Sequence, residues 1–306
     1  MTGVLEGFAV IGALIAAGYL AGRARVLGEQ GGPVLTRLAF HVASPALLFT
    51  TLADADLGAL ASPGLLVTAA STLLVAGVYI AVGALRHWGT GPTTIGALCA
   101  GYVNAGNLGI PIAVYVLGDA TLIAPVLLFQ LLIVSPLALT VIDLSRPGTR
   151  ASPLAVVTAP LRNPVVLGSL AGVAVAAAGV RVPAPLLDPV ELLGAMAVPA
   201  VLLAFGISLR GATPPARGPE RGQVLLAVGL KTVGQPVAAW AVGAGVFGLT
   251  GPALLTVVVT SALPAAQNLF TYASRYDTGV RLAREAVLLS TVLAVPALVT
   301  VAVLLG

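Results

Sequence analysis

The sequence predicts an all-α integral membrane protein whose ten transmembrane helices form a 5+5 inverted repeat, with broken and crossing helices 4 and 9. Composition is the first reason. Of the 306 residues, 58% are hydrophobic and 8% are charged, and the mean hydropathy is +1.05. A soluble domain carries about 25% charged residues, so a water-soluble globular domain is excluded, as is a disordered chain. Cys99 is the single cysteine, which excludes an intramolecular disulfide.

The lengths of the apolar segments are the second reason. A helix needs about 20 apolar residues to cross a bilayer, whereas a membrane β-strand is about 10 residues of alternating character. The first segment lacks a basic region before its apolar run and is therefore expected to be a span, not a signal peptide. The ten predicted spans are 4–22, 36–53, 64–85, 95–117, 121–142, 161–180, 189–208, 224–248, 252–274 and 284–305.

The distribution of arginine is the third reason. If every segment crosses the membrane, thirteen arginines fall on one side and Arg181 alone falls on the other. Basic residues in short loops mark the cytoplasmic face, and a basic patch for nucleic acid would not alternate between loops. We therefore expect a multi-pass protein of the cell membrane, with both termini and loops 54–63, 118–120 and 249–251 outside the cytoplasm. The thirteen are Arg23, Arg25, Arg37, Arg86, Arg146, Arg150, Arg162, Arg210, Arg217, Arg221, Arg275, Arg281 and Arg284.

The order of the segments predicts an internal repeat. Two sets of five spans must be oppositely oriented, and the longest basic loop separates them. The predicted units are residues 1–142, a cytoplasmic linker at 143–160, and residues 161–306. Prolines recur at nearly matching positions in the two halves, and interrupted segments in corresponding halves of a membrane protein indicate a transporter site at the repeat interface. The matching pairs are Pro45 with Pro199 and Pro111 with Pro264.

The fourth segment contains the strongest candidate site, Asn104 to Pro111. Proline removes a backbone donor and clashes with the preceding turn, and Gly106 and Gly109 weaken the helix further. Asn104 and Asn107 are costly in hydrocarbon unless they face protein or water. The segment therefore predicts a broken helix whose free backbone groups, and the dipole at its N-terminus, serve a ligand. The alternative is a proline kink with both asparagines bonded to neighbouring helices.

The ninth segment contains a second candidate site. Ser261 precedes Pro264, and Gln267 and Asn268 follow within four residues of that proline. These polar groups are expected to meet those of the fourth segment where the two interrupted helices cross. A simple kink is again the alternative.

Five further residues are supporting candidates. Lys231, inside the eighth segment, has two open interpretations: snorkelling to the interface, or a fixed positive charge beside an anion or ion pathway. Gln130 either bonds a neighbouring helix or lines the pathway. The other three are Ser44, Pro45 and Pro199, at the proline positions of segments two and seven.

Enzymatic classes lack the residues they need. No Asp or Glu lies well inside a predicted span, and the sequence contains neither an HExxH zinc motif nor a Walker A loop. We therefore expect neither an enzyme nor a bound metal or cofactor, and we expect no nucleic-acid partner. The pattern favours a secondary carrier. An ion-conducting protein or cation antiporter of related fold is the alternative, although an antiporter is expected to carry a carboxylate at the crossing.

Several segments, in order along nearly the whole chain, resemble the auxin efflux carrier family. The first are Asn104 with Gly109-Ile110-Pro111 and the stretch from Tyr115 to Asp119. The others are Arg162-Asn163-Pro164, Lys231 with Gln235-Pro236, and Ala262-Leu263-Pro264 followed by Ala273 and Tyr276-Asp277.

The resemblance implies a scaffold domain and a transport domain, alternating access by an elevator-like movement, and a homodimer. It also implies a small organic anion as substrate, such as auxin in plants or malonate and malate in bacterial relatives. Asn104 matches the crossover asparagine that binds the substrate carboxylate in this family. Plant carriers also have a carboxylate on the third helix, and segment 64–85 has none.

Overall fold

The computed structural model describes residues 2–54, 62–109, 112–113, 117–145, 164–180, 182–210 and 215–305. Within these ranges every regular element is helical, and the single β-bridge joins Val103 to Ala265. From residue 146 onward, the predicted linker lies outside the described residues. The helix before it ends at Leu144 and therefore includes the first two residues assigned to the linker.

Each of the ten predicted segments overlaps helical residues. In chain order the helices are α1 (Thr2–Arg23), α2 (Gly31–Ala53), α3 (Pro63–Leu85), α4 (Thr90–Gly101), α5 (Pro125–Leu144), α6 (Pro164–Ala178), α7 (Ala184–Ser208), α8 (Arg221–Gly245), α9 (Gly251–Ser261), α10 (Asn268–Tyr276) and α11 (Val280–Leu305). Among the described residues, six of these helices are long and apolar enough to cross a membrane, namely α2, α3, α5, α7, α8 and α11. The multi-pass membrane class is thereby supported.

Proline shapes three of the long helices in the same way. A proline inside a helix lacks a donor and crowds the preceding carbonyl, and a locally widened π turn relieves that conflict. Such turns span Ala39–Ala43 in α2, Gln130–Val134 in α5 and Leu230–Gly234 in α8. Each is followed directly by a Ser-Pro or Gln-Pro pair, so the helix continues without a break.

The helices pack in two groups. The flanking group consists of α1, α2, α6 and α7, which pack most closely on one another, and the central group consists of α3, α4, α5 and α8 to α11. Glycine allows close backbone contact within the flanking group, as is common between membrane helices. A Cβ added to Gly206 of α7 would lie 2.8 Å from the Tyr19 nitrogen and 2.9 Å from the Gly18 Cα of α1.

Candidate functional site

Two interrupted helices meet in the middle of the fold. The first, α4, ends at Gly101, and the chain runs through Tyr102–Asn104 before a π turn at Ala105–Gly109. The second, α9, ends at Ser261, and α10 begins at Asn268. The interruption in the fourth segment therefore precedes Pro111, which lies outside the described residues. The interruption in the ninth segment contains Pro264, as predicted.

Backbone hydrogen bonds join the two interruptions. The amide of Asn104 donates to the carbonyl of Pro264 over 2.8 Å, and the amide of Ala266 donates to the carbonyl of Tyr102 over 3.2 Å. Val103 and Ala265 form an antiparallel bridge between them. The two stretches thus satisfy part of each other's backbone, which non-helical chain inside a membrane requires.

Side chains complete the crossing. Asn104 Nδ2 donates to Gln267 Oε1 over 2.7 Å, and these residues are 2% and 1% exposed. Gln130 Oε1 accepts from the Val103 amide over 2.6 Å, and Ser290 Oγ accepts from the Ala265 amide over 3.1 Å. Gln130 therefore bonds a neighbouring segment, which was one of its two predicted roles. Ser290 gave no signal in the sequence because serine is unremarkable in a membrane helix.

A cavity of about 230 Å³ opens beside the crossing. Ligand pockets for drug-sized molecules have volumes of about 300–1,000 Å³, so this cavity suits a smaller molecule. Both helix groups contribute to its wall, and among the described residues that line it none is charged. The predicted residues in the wall are Ser44, Asn104, Gly106, Gln130, Gln267 and Asn268, and the others include Leu47, Thr51, Tyr102, Val103, Leu127, Val198, Val201, Ala266 and Tyr272.

Two tyrosines, Tyr102 and Tyr272, line this cavity and form hydrogen bonds through their hydroxyls. Ser135 Oγ donates to the Tyr102 hydroxyl over 3.0 Å, and Asn268 Nδ2 donates to the Tyr272 hydroxyl over 3.3 Å. Among the described residues, Asn268 Oδ1 is buried without a hydrogen-bond partner. The sequence analysis missed both tyrosines, although each lies within four residues of a predicted amide and carries a polar group that must be satisfied when buried.

Lys231 holds the end of one half-helix. Its side chain is fully buried, and Nζ donates to the Ser261 carbonyl over 2.7 Å and to Gln235 Oε1. A positive charge at the carbonyl end of a helix is favourable. The snorkelling interpretation is therefore wrong. Gln235 Nε2 donates to the Gly101 carbonyl over 2.9 Å, so α8 binds the carbonyl ends of both α4 and α9.

The remaining predicted residues that the structure describes do not line the cavity. The Pro264 and Ser261 carbonyls accept the hydrogen bonds described above, and the Ser261 hydroxyl donates to Val258 O over 2.8 Å. Gly109 is a packing position, because an added Cβ would lie 2.8 Å from Ile123. Pro199 is exposed, and Pro45 lies beside α6, where an added Cβ on Gly168 would lie 2.8 Å from its Cα. The side chain of Asn107 lies outside the described residues, as does Pro111.

Acidic residues lie away from the crossing in the described part of the chain. Glu285, near the start of α11, is buried, forms a 2.6 Å ion pair with Arg281, and accepts from the Ala216 amide over 2.8 Å. The sequence analysis did not single out this residue because it lies at the edge of the predicted span. His, Cys, Asp and Glu form no group of three or more in the described ranges that could hold a metal ion.

Comparison with known proteins identifies the class to which this fold and crossing belong. Residues 4–302 match the family described as membrane transport protein, and the chain belongs to that family, which is the auxin efflux carrier family that its motifs resemble. The chain is also 27% identical over 293 residues to a protein of Rhizobium meliloti (strain 1021) named "Putative malonate transporter". That alignment covers 92% of this chain and 89% of the relative.

Proposed function

We propose that this membrane transport protein carries a small organic anion, such as a dicarboxylate, across the cytoplasmic membrane as a secondary active or facilitated transporter. The observation that carries the proposal is the cavity beside the crossing, where buried amides from both halves of the chain converge. Asn104 and Gln267 supply amide groups, and Asn268 stands at the N-terminus of α10, the positive end of a helix dipole. Carboxylates are good partners for such donors. The name of the Rhizobium meliloti relative supports the same substrate class.

None of the described residues that line the cavity beside the crossing is charged, which is evidence against the alternative function, a cation antiporter. A cation antiporter needs a group that neutralises its ion inside the membrane, and no described residue of the lining is acidic. Lys231 donates to the Ser261 carbonyl behind the crossing, where its ammonium form would add positive charge. Both features favour an anion over a cation.

The two helix groups support an elevator-type mechanism. The cavity lies between them: Ser44, Thr51 and Val198 come from the flanking group, whereas Asn104 and Gln267 come from the central group. In this proposal the flanking group is the scaffold and the central group carries the substrate. Sliding of one group past the other would expose the cavity to alternate sides.

The proposal includes the ten-helix 5+5 inverted repeat, the extracytoplasmic termini and a homodimer. The matching interruptions at Tyr102–Asn104 and 262–267 support the repeat. The dimer is tested by the mass of the detergent-solubilised protein from light scattering, which is expected to equal two chains.

Transport is tested in proteoliposomes that contain the purified chain. We expect saturable uptake of labelled malonate, with competition by other dicarboxylates and none by chloride. Imposed proton and sodium gradients identify the coupled ion. Uptake of a cation without any carboxylate binding would contradict the anion proposal and favour the antiporter.

The elevator mechanism needs a separate test. Spin labels at Leu20 of α1 and Trp240 of α8 report on motion between the groups, and labels at Leu225 and Val299 report within the central group; all four residues are exposed. We expect the first distance distribution to be broad and to shift with substrate, while the second stays narrow. A fixed distance between the groups under all conditions would rule out the elevator.

A further inference from the structure

A second cavity, separate from the crossing, contains two arginines. Its volume is about 470 Å³, and it lies where the start of α2, the end of α7 and the end of α10 meet. Arg37 and Arg275 contribute to its wall together with Thr36, Ser208 and Ser274. Among the described residues that line it none is acidic, so the cavity combines space with uncompensated positive charge.

Hydrogen-bond donors in this cavity lack partners in the described part of the chain. Arg275 Nε and Ser274 Oγ are both buried without a hydrogen bond, and neither arginine forms a salt bridge with a described residue. Buried donors are rarely left unsatisfied, and a guanidinium offers a fork of N–H groups that matches a carboxylate or phosphate. An anion with such oxygens would satisfy these donors together.

Two aromatic rings contact the guanidinium of Arg275. Arg275 Cζ lies 5.8 Å from the ring centroid of Phe40 and 5.9 Å from that of Tyr276. Stacking of a guanidinium on aromatic rings fixes its plane and leaves its edge free for hydrogen bonds. Phe40 also lies 6.1 Å from the ring of Tyr272, which lines the crossing cavity. Phe40 thus contacts Arg275 in the wall of the second cavity and Tyr272 in the wall of the cavity beside the crossing.

The two cavities share three helices. Asn268 and Arg275 are separated by seven positions of α10, or about 10 Å of helical rise, and α2 and α7 also line both cavities. The arginine cavity lies toward the ends of the helices at which the arginine-rich loops are expected to face the cytoplasm. A ligand there is placed about two helical turns from the crossing.

We propose that the arginine cavity is a second anion-binding site, for a molecule that carries a carboxylate or phosphate group. The inference rests on the proposed function only in sharing its class of ligand. Two sources supply such a group: a free organic anion or phosphate from the cytoplasm, and the headgroup of an anionic lipid, since basic pockets between membrane helices bind such headgroups.

The test measures anion binding to the purified protein by calorimetry, with malonate and inorganic phosphate as probes. All variants carry Asn104→Ala, so that the crossing does not contribute. We expect Arg275→Gln to weaken binding at least about tenfold, as loss of a charged hydrogen bond implies, and Ser274→Ala to weaken it less. Arg86→Gln removes an exposed arginine elsewhere and should bind as its parent does. Monodispersity on gel filtration shows that each variant is folded.

The lipid environment separates the two sources. Binding is repeated in nanodiscs of phosphatidylcholine alone and with added phosphatidylglycerol, and retained lipid is identified by native mass spectrometry. The site is assigned to a lipid headgroup if two results occur together. Phosphate no longer binds in nanodiscs that contain phosphatidylglycerol, and the parent protein retains that lipid whereas Arg275→Gln does not. Equal binding in both membranes assigns it to a free anion.

Two results would overturn the inference: unchanged binding in both Arg275→Gln and Ser274→Ala, or equal weakening by Arg86→Gln. Failure of malonate uptake by the wild-type chain would contradict the proposed function alone, because the binding comparison with phosphate does not depend on transport.

Discussion

Asn104 and Gln267 stand 163 positions apart in the chain and are joined by a buried 2.7 Å hydrogen bond from Nδ2 to Oε1. Each follows the end of a different half-helix, and the backbone bonds from Asn104 to Pro264 and from Ala266 to Tyr102 flank the pair. The two amides are thus fixed by the same pairing that joins the two interrupted segments. A ligand that contacts one of them is within reach of the other.

Replacing Asn104 by alanine is expected to abolish uptake while expression and dimer assembly stay near wild type. The variant removes a donor to the substrate carboxylate, and a hydrogen bond to a charged group contributes about 1.5–3 kcal/mol. That range corresponds to about 10–150-fold in affinity. Malonate binding to the purified variant by calorimetry measures the loss.

Gln223→Ala is the matched control, because Gln223 is an amide of α8 that does not line the cavity. It should bind malonate as the wild type does. Unchanged affinity in Asn104→Ala would move the binding site away from the crossing.

Gly206→Ala is expected to destabilise the flanking group. The added methyl group would lie 2.8 Å from the Tyr19 nitrogen, which belongs to the backbone of α1 and cannot turn aside as a flexible side chain can. Overpacking of this kind costs about 1–3 kcal/mol. Thermal unfolding of the detergent-solubilised protein, followed by tryptophan fluorescence, is expected to shift to lower temperature.

Gly229→Ala serves as the comparison. Gly229 also lies in a helix, but nothing lies within 4 Å of its added Cβ, so only the helix propensity changes, in favour of alanine. This variant should unfold at or above the wild-type temperature. Equal destabilisation by both substitutions would show that packing against α1 is not the cause.

The sequence was sufficient to predict that the segments are helical and which two of them are interrupted. Apolar length predicted the segments, and the coincidence of amides with glycine and proline predicted where two of them are interrupted. Asn104, Gln267 and Asn268 were found because polar amides in hydrocarbon require a partner. Each of these signals lies within a single segment and can be recognised without knowing which segments are neighbours in the fold.

What the sequence could not predict depends on contacts between distant segments. In the sequence, Tyr102 and Tyr272 are indistinguishable from other aromatic residues of a membrane helix. Only the structure shows that both line the cavity. Lys231 was ambiguous because its distance from the helix end allowed snorkelling, and only the position of the Ser261 carbonyl decides against it. Conversely, Pro199 was conspicuous in the sequence but is exposed, because the position of a proline in a segment does not show which side of the helix faces the site.

The predicted orientation can be tested by cysteine labelling in intact cells. Gly148→Cys introduces a thiol into the loop expected to face the cytoplasm, and Thr250→Cys introduces one into a loop expected outside. An impermeant maleimide should label the second and spare the first until the cells are permeabilised. The wild-type chain is the blank, because its single cysteine, Cys99, is buried. Labelling at position 148 in intact cells would contradict the predicted orientation of the chain in the membrane.

Lys231 provides the last prediction: Lys231→Gln is expected to impair transport far more than Lys231→Arg. Its Nζ donates to the Ser261 carbonyl over 2.7 Å and to Gln235, and Gln235 in turn binds the Gly101 carbonyl. Arginine keeps a positive donor at the carbonyl end of α9, whereas glutamine keeps polarity and loses the charge.

A purely structural role and a role in transport differ in what the glutamine variant retains. Glutamine can still donate to the Ser261 carbonyl, so a structural role predicts a modest fall in unfolding temperature and near-normal uptake by whatever protein remains folded. If the charge supports the bound anion, uptake per folded molecule falls and the half-saturating concentration of malonate rises. Uptake is therefore normalised to the monodisperse protein recovered in the liposomes. Equal normalised uptake by the wild type and the glutamine variant would assign Lys231 to the architecture of the crossing alone.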